Sequence, residues 1–565
     1  MNCLAKTLLS GIVCLFFTIF TTIVPAQSPA SLTPAEWRKD LHYFQQLVHT
    51  KYPNLFYNIS AAQFDSVVRS IDKRLDKLND LQMRAEFVKL VALFQVGHTA
   101  TRLRFGSDAQ LQPWVHRIPA AFYLFSDGLY IKSIDKRYMQ ALGGKLTHIG
   151  KTDAMKAMEK IRPYVAFENE QGFKNTFPFY LSIPEFLKDA GIVEDLSQVP
   201  LTYVKNGREQ TIVLKAEDLP SPGGNHGIES PRDWVNAYEQ MNTEQSVLWL
   251  KKPARLRHFE YMPQAKLLYV RHSAVQNEPN ETIADFFAKV FDFVDKNEVE
   301  KFVLDVRLNG GGNNYLNKPV ITGIIAARKI NQMGRLFIIT GRETFSAAQN
   351  LVNELEKYTE AVFVGEPTSE NVNFFGDTRL EVLPNSKLNI NLSWLWWQNL
   401  DPRDKRKWKA PHLAADMSFE DYQKGIDPAM NLVLNYDKKG PIDNKLRDLV
   451  IQEKYDEAVS MAREYMQDPV HRYFKDELET KINDYGYQLI NRQRFEQANK
   501  VLHMNVQLFP GSANVYDSYA ESWWKLGNTA EAIKYYQIAI GKDPHGVTGD
   551  NARRMLAEIQ GKKPM

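Results

Sequence analysis

Three apolar runs, each too short to be a helix, constrain this chain more than any other feature. They are Phe302-Val303-Leu304, Leu336-Phe337-Ile338-Ile339 and Ala361-Val362-Phe363-Val364, and segments of helical periodicity separate them. Apolar runs without alternation are strands covered on both faces, and helical connections between them make the sheet parallel. The fold class is therefore α/β. In such sheets the working groups gather beyond the carboxyl ends of the strands. Two unusual turns fall there, Gly310-Gly311-Gly312 after the first run and Gly341-Arg342-Glu343-Thr344-Phe345-Ser346 after the second.

A serine opening a helix sits in the positive field of that helix, beside backbone N–H groups with no intrahelical partner. A glycine turn lets a further backbone N–H approach the same point. The pair predicts Ser346 Oγ as an attacking group, with the N–H groups of Gly311 and Ala347 as an oxyanion hole. The plainer reading is that Ser346 caps its helix and the glycines make a tight turn.

The motifs Asp305-Val306-Arg307-Leu308-Asn309-Gly310-Gly311-Gly312, Thr344-Phe345-Ser346-Ala347-Ala348 and Gly365-Glu366-Pro367-Thr368 arrive in an order that resembles the tail-specific and tricorn-type serine proteases. Their ClpP/crotonase-like core is shared with the interphotoreceptor retinoid-binding protein modules. The resemblance implies that Ser346 is the nucleophile. It also gives meaning to Gly97-His98-Thr99, which follows three predicted helices. In the branch of the family that uses histidine, this histidine is the general base.

Family members with a Ser/Lys pair carry a lysine in the turn beyond the next strand. Here that turn, residues 369–377, has no lysine. Serine needs a base within hydrogen-bond reach, and the near-neutral pKa of His98 suits the task. Tricorn-type members add a glutamate further on, and residues 398–412 contain none; Asp404 and Asp401 are the acids available there. Asp404 is taken as the candidate third member, with a solvated loop charge as its alternative. Tricorn has serine before its histidine, where this chain has Gly97.

The remainder reads as modules around this core. Residues 1–26 carry Lys6, an apolar run and the small-residue exit Val24-Pro25-Ala26, the pattern of a cleaved signal peptide. That pattern predicts a periplasmic or extracellular protein with no membrane attachment after cleavage. Cys3 and Cys14 both lie in this leader, so the mature chain has no disulfide or cysteine metal site. Residues 27–112 form an N-terminal helical bundle ending in the Gly-His-Thr element. Residues 113–219 are β-rich, with an Asn206-Gly207 hairpin turn. They resemble a PDZ domain, whose mode is capture of peptide carboxylates, or form a β-rich spacer. Residues 220–440 are the catalytic core, with a link over 220–234 and a first strand expected at 246–250.

Residues 441–565 are wholly helical. Tyr485 and Tyr519, Ala498 and Ala532, and Pro510 and Pro544 are each 34 apart, the tetratricopeptide (TPR) period. Such repeats bind an extended peptide or a protein partner, or only dock on the core and cap it.

With 70 Lys+Arg against 67 Asp+Glu, nothing electrostatic favours nucleic acid. No metal or organic cofactor is implied. The expected activity is hydrolysis of peptide bonds in a protein or peptide substrate through Ser346 and His98. The alternative is an inactive binding or scaffold protein on the same core.

Overall fold

The computed structural model describes residues 32–104, 114–219, 233–240, 247–436 and 442–561. The expected leader and most of the expected link over 220–234 lie outside them. Among the described residues no helix is long and apolar enough to cross a membrane.

Three helices open the chain: α1 (Pro34–Lys51), α2 (Ala61–Arg74) and α3 (Asp80–Ala92). Each begins with a reciprocal capping box, Thr33 with Glu36, Ser60 with Gln63 and Asn79 with Gln82. Their apolar faces meet around Phe44, Phe64, Phe87 and Phe94. After α3 the chain turns through Gly97-His98-Thr99 into the two-residue strand β1 (Ala100–Thr101).

The β-rich unit follows: β2 (Ala120–Phe125), β3 (Gly128–Asp135), β4 (Lys145–Ile149), β5 (Thr152–Asp153), β6 (Gln198–Lys205), β7 (Arg208–Lys215) and β8 (Trp234–Asn236). The sheet runs β2-β3-β4-β6-β7, with β5 paired to β4 and β8 to β3. Asn206 and Gly207 both have positive φ, as the tight β6–β7 hairpin requires. The aromatic stretch 167–188 folds as two helices, Glu170–Tyr180 and Pro184–Asp189.

The central sheet contains β9 (Arg257–Met262), β10 (Leu267–His272), β11 (Lys301–Asp305), β12 (Leu336–Thr340) and β13 (Val362–Gly365), in sequence order across the sheet. Next come a long hairpin, β14 (Asn373–Val382) with β15 (Asn389–Gln398), and the short edge strand β16 (Leu413–Ala414) beside β13. Strands β10 to β13 and β16 are parallel and β9 is antiparallel. The expected strand at 246–250 is instead a single 3-10 turn, Leu248–Leu250. The buried Arg271 guanidinium causes this, taking the carbonyls of Trp249, Lys251, Lys252 and Arg255 at 2.6–2.9 Å and curling the segment round itself.

A parallel sheet must be covered on both faces. Helices Ile283–Lys296, Lys318–Ala326 and Ala347–Tyr358 cover one. The other face, including Tyr269, Val303, Phe337 and Val364, shares a single core with β2, β3, β4 and the helix Pro428–Leu434. The β-rich unit thus walls one face of the central sheet. The β14–β15 hairpin lays Leu383, Leu388, Ile390 and Leu392 onto the N-terminal bundle, and β1 pairs with β15. This pairing carries the Gly-His-Thr turn to the serine.

The C-terminal part consists of antiparallel helices from Ile442–Ile451 to Val547–Ile559. It docks on the core through a buried charge network. Glu477 accepts from Ala410 N at 2.7 Å and Lys409 Nζ at 2.9 Å, and pairs with Arg406 at 3.0 Å. Glu356 joins Arg406, Lys409 and Lys481.

Candidate active site

The turn after β12 is locked before it reaches the serine. Thr344 Oγ1 donates to Val306 O, Gly341 N donates to Thr344 Oγ1, and Phe345 N donates to Asn309 O. Ser346 then adopts φ +57° and ψ −126°, a left-handed geometry that costs a non-glycine residue about 1–3 kcal/mol. The strain swings its side chain out of the capping position, and Ser346 makes no cap hydrogen bond. Its Oγ instead lies 2.9 Å from His98 Nε2, across 248 residues of sequence. The helix-cap reading of Ser346 is thereby excluded.

His98 is clamped by aromatic rings. Phe345 stacks on it at 4.4 Å, with Phe374 on the parallel plane at 6.0 Å. Gly97 explains why no serine precedes the histidine: a Cβ there would stand 2.9 Å from the Phe345 ring. On its other side, His98 Nδ1 is 3.0 Å from Glu370 Oε1, a short contact whose atoms are not aligned as a hydrogen bond. Glu370 Oε2 accepts the N–H of Ser346 itself at 2.5 Å. One fully buried carboxyl group therefore touches both the base and the nucleophile's backbone.

Glu168 completes the cluster. Its two oxygens accept from Gly97 N and Asn371 N, each at 3.2 Å, tying the residue before His98 to the residue after Glu370. One ligand atom from each of His98, Glu168 and Glu370 lies within 4.8 Å of the others. Burial, and then the neighbouring Glu370 charge, push the Glu168 carboxyl up to about 8. Burial likewise pushes Glu370 up, against the pull of the Ser346 N–H. It pushes His98 down, so the imidazole rests neutral and able to accept a proton at Nε2. Burial raises both carboxyls, and Glu370 is the one that His98 Nδ1 and the Ser346 N–H face.

Two predicted residues stand elsewhere in function. Asp404 does not face His98; both its oxygens are held by Arg406, because the 404–410 loop is drawn into the charge network under the C-terminal helices. Gly311 does not offer its N–H to the site, since that group donates to Asn309 Oδ1 at 3.0 Å. Gly311 matters by its missing side chain: at φ +100°, a Cβ would lie 2.6 Å from Ser346 Cβ. The N–H of Ala347 opens the helix without an intrahelical acceptor, as predicted. Neither it nor the N–H of Gly312 donates to a described residue.

Sequence reasoning missed Glu370 and Glu168. Glu370 sits 24 residues after Ser346, in the very turn inspected for a lysine. Reading that turn for any ionisable group, rather than for one type, would have found it. Glu168 lies in the aromatic stretch before Glu170–Tyr180 and carries no sequence signal.

No family model and no curated protein matches the chain. Among solved structures, a serine-to-alanine mutant of CPAF aligns at 11% identity over 71% of this chain and 98% of its own, with a TM-score of 0.51. Mature CPAF aligns at 12% over 72% and 98%, with a TM-score of 0.50. The photosystem II D1 C-terminal processing protease aligns at 12% over 68% and 94%, with a TM-score of 0.34. At these identities the likeness to CPAF is one of fold, shared over nearly the whole of CPAF and a little over 70% of this chain.

Proposed function

We propose that the protein is a secreted serine peptidase that cleaves peptide bonds through an acyl-enzyme, with Ser346 as nucleophile, His98 as general base and acid, and Glu370 as the acid that orients it. The observation that carries this reading is the 2.9 Å approach of His98 Nε2 to the Oγ of a serine held at φ +57°. Strain at a residue that gains no cap from it supports a demand on its Oγ.

In the proposed reaction Ser346 Oγ attacks the carbonyl carbon while its proton passes to Nε2. The resulting imidazolium is stabilised by Glu370. The oxyanion faces the N–H of Ala347, with Gly312 N–H replacing Gly311 as the second donor. Collapse breaks the C–N bond, His98 returns its proton to the leaving amine, and water drawn through the same imidazole releases the acyl group. The PDZ-like and TPR-like units would present the substrate; the docked C-terminal helices favour a cap on the core over an independent binding arm.

Ser346→Ala tests the assignment. Peptide hydrolysis should fall at least a thousandfold, on the order of what loss of a triad member costs, with an unchanged melting temperature. A variant that cleaves at the parent rate would remove Ser346 from the mechanism.

A further inference from the structure

A second cavity opens at the carboxyl ends of β11, β12 and β13, between the central sheet and the wall formed by β2 and β3, and Ser346 and His98 do not line it. About 60 Å³ of it is open to a water-sized group, several times what one water needs. Tyr123 and Trp249 give it aromatic sides, and its five charged side chains fall into two classes. Arg342 is neutralised by Glu366, and Arg307 by Asp305 and Asp427. Lys132 and Glu343 make no hydrogen bond or ion pair with any described residue; Lys132 Nζ has only the faces of Tyr123 at 5.0 Å and Tyr422 at 5.7 Å.

A lone ammonium and a lone carboxylate in one enclosed space are costly to hold charged. Burial pushes Lys132 down and Glu343 up to about 7, each opposed by the charge of the other without a direct contact between them. Arg342, Glu366 and Arg307 already hold counter-charges in direct ion pairs, so Lys132 and Glu343 are the charged groups left to meet a ligand. The complementary species carries both signs on a small frame.

We propose that this cavity binds a free α-amino acid, its carboxylate on Lys132 Nζ and its ammonium on the Glu343 carboxylate, with Tyr123 and Trp249 beside its side chain. Glu343 belongs to the turn that delivers Ser346, three residues later. On the peptidase reading, on which this link rests, the ligand class is the final product of peptide breakdown.

Ligand-observed NMR on the full chain tests this with three probes: L-alanine, N-acetyl-L-alanine without the ammonium, and L-alaninamide without the carboxylate. L-Alanine should bind saturably, and each blocked form at least tenfold more weakly. Lys132→Met should abolish L-alanine binding without lowering the melting temperature, because it removes an unpaired buried charge. Glu343→Gln is the second variant, with the same expected loss. Absence of L-alanine binding, equal binding of all three probes, or unaltered binding by both variants would overturn the proposal.

Discussion

Two clusters of buried ionisable groups, similar in depth, behave oppositely. Beneath the C-terminal helices, Glu356 is pulled well below the usual carboxylate range despite its burial, because Arg406, Lys409 and Lys481 surround it. Beside Ser346, Glu370 and Glu168 are pushed above that range, because no cation pairs with either of them. Burial raises a carboxyl in both places, and the local count of cations decides the outcome. The first cluster is a joint between two parts of the molecule. The second gathers a neutral imidazole and two carboxyls of raised pKa around a serine, and strongly perturbed groups of this kind cluster at sites of chemistry.

Altering each cluster should separate these roles. Glu370→Gln leaves an amide that donates to Nδ1 and fixes the wrong tautomer of His98. Turnover should fall on the order of 10⁴-fold, the cost of such a change in a serine triad, while the melting temperature moves little. A variant with near-parent turnover would reduce Glu370 to a structural acid.

In the balanced cluster Glu477→Ala should show the reverse pattern. It leaves Arg406 and Lys409 sharing Glu356 and costs about 3 kcal/mol of stability, as broken buried pairs do. The melting temperature should drop by several degrees, with cleavage retained below the transition. If cleavage were lost while the fold melted normally, the joint would be part of the active site.

A third effect, read in pH dependence, concerns Glu168. Its folded value, about 8, lies above the ordinary glutamate value, so its contribution is complete below that lower value and is lost as pH rises through the higher one. Between the two, stability should decline by about 1.4 kcal/mol per pH unit from this group. Glu168→Gln, which cannot ionise, should flatten that slope in melting curves taken from pH 5 to 8. An unchanged slope would mean that another group holds the proton.

The part of this legible in the sequence follows a physical divide. The parallel strands, the Asn206-Gly207 hairpin and the helical character of the C-terminal part could be read because each is fixed by local periodicity or turn chemistry. Ser346 and His98 could be named because their neighbours form motifs, although only the pairing of β1 with β15 brings them together. Glu370 and Glu168 act through distance and shared burial, which spacing does not encode. The segment 246–250 has the apolar pattern of a strand, and a guanidinium from β10 overrides it. The β-rich unit looked detachable because its strands are locally complete; its core proves to be the second face of the central sheet.

The most direct test of a poised serine is labelling by a fluorophosphonate, followed by mass mapping of the adduct. The account predicts a single adduct on Ser346, formed in the parent and lost in His98→Gln. An unlabelled parent, or an adduct formed equally fast without the imidazole, would contradict it.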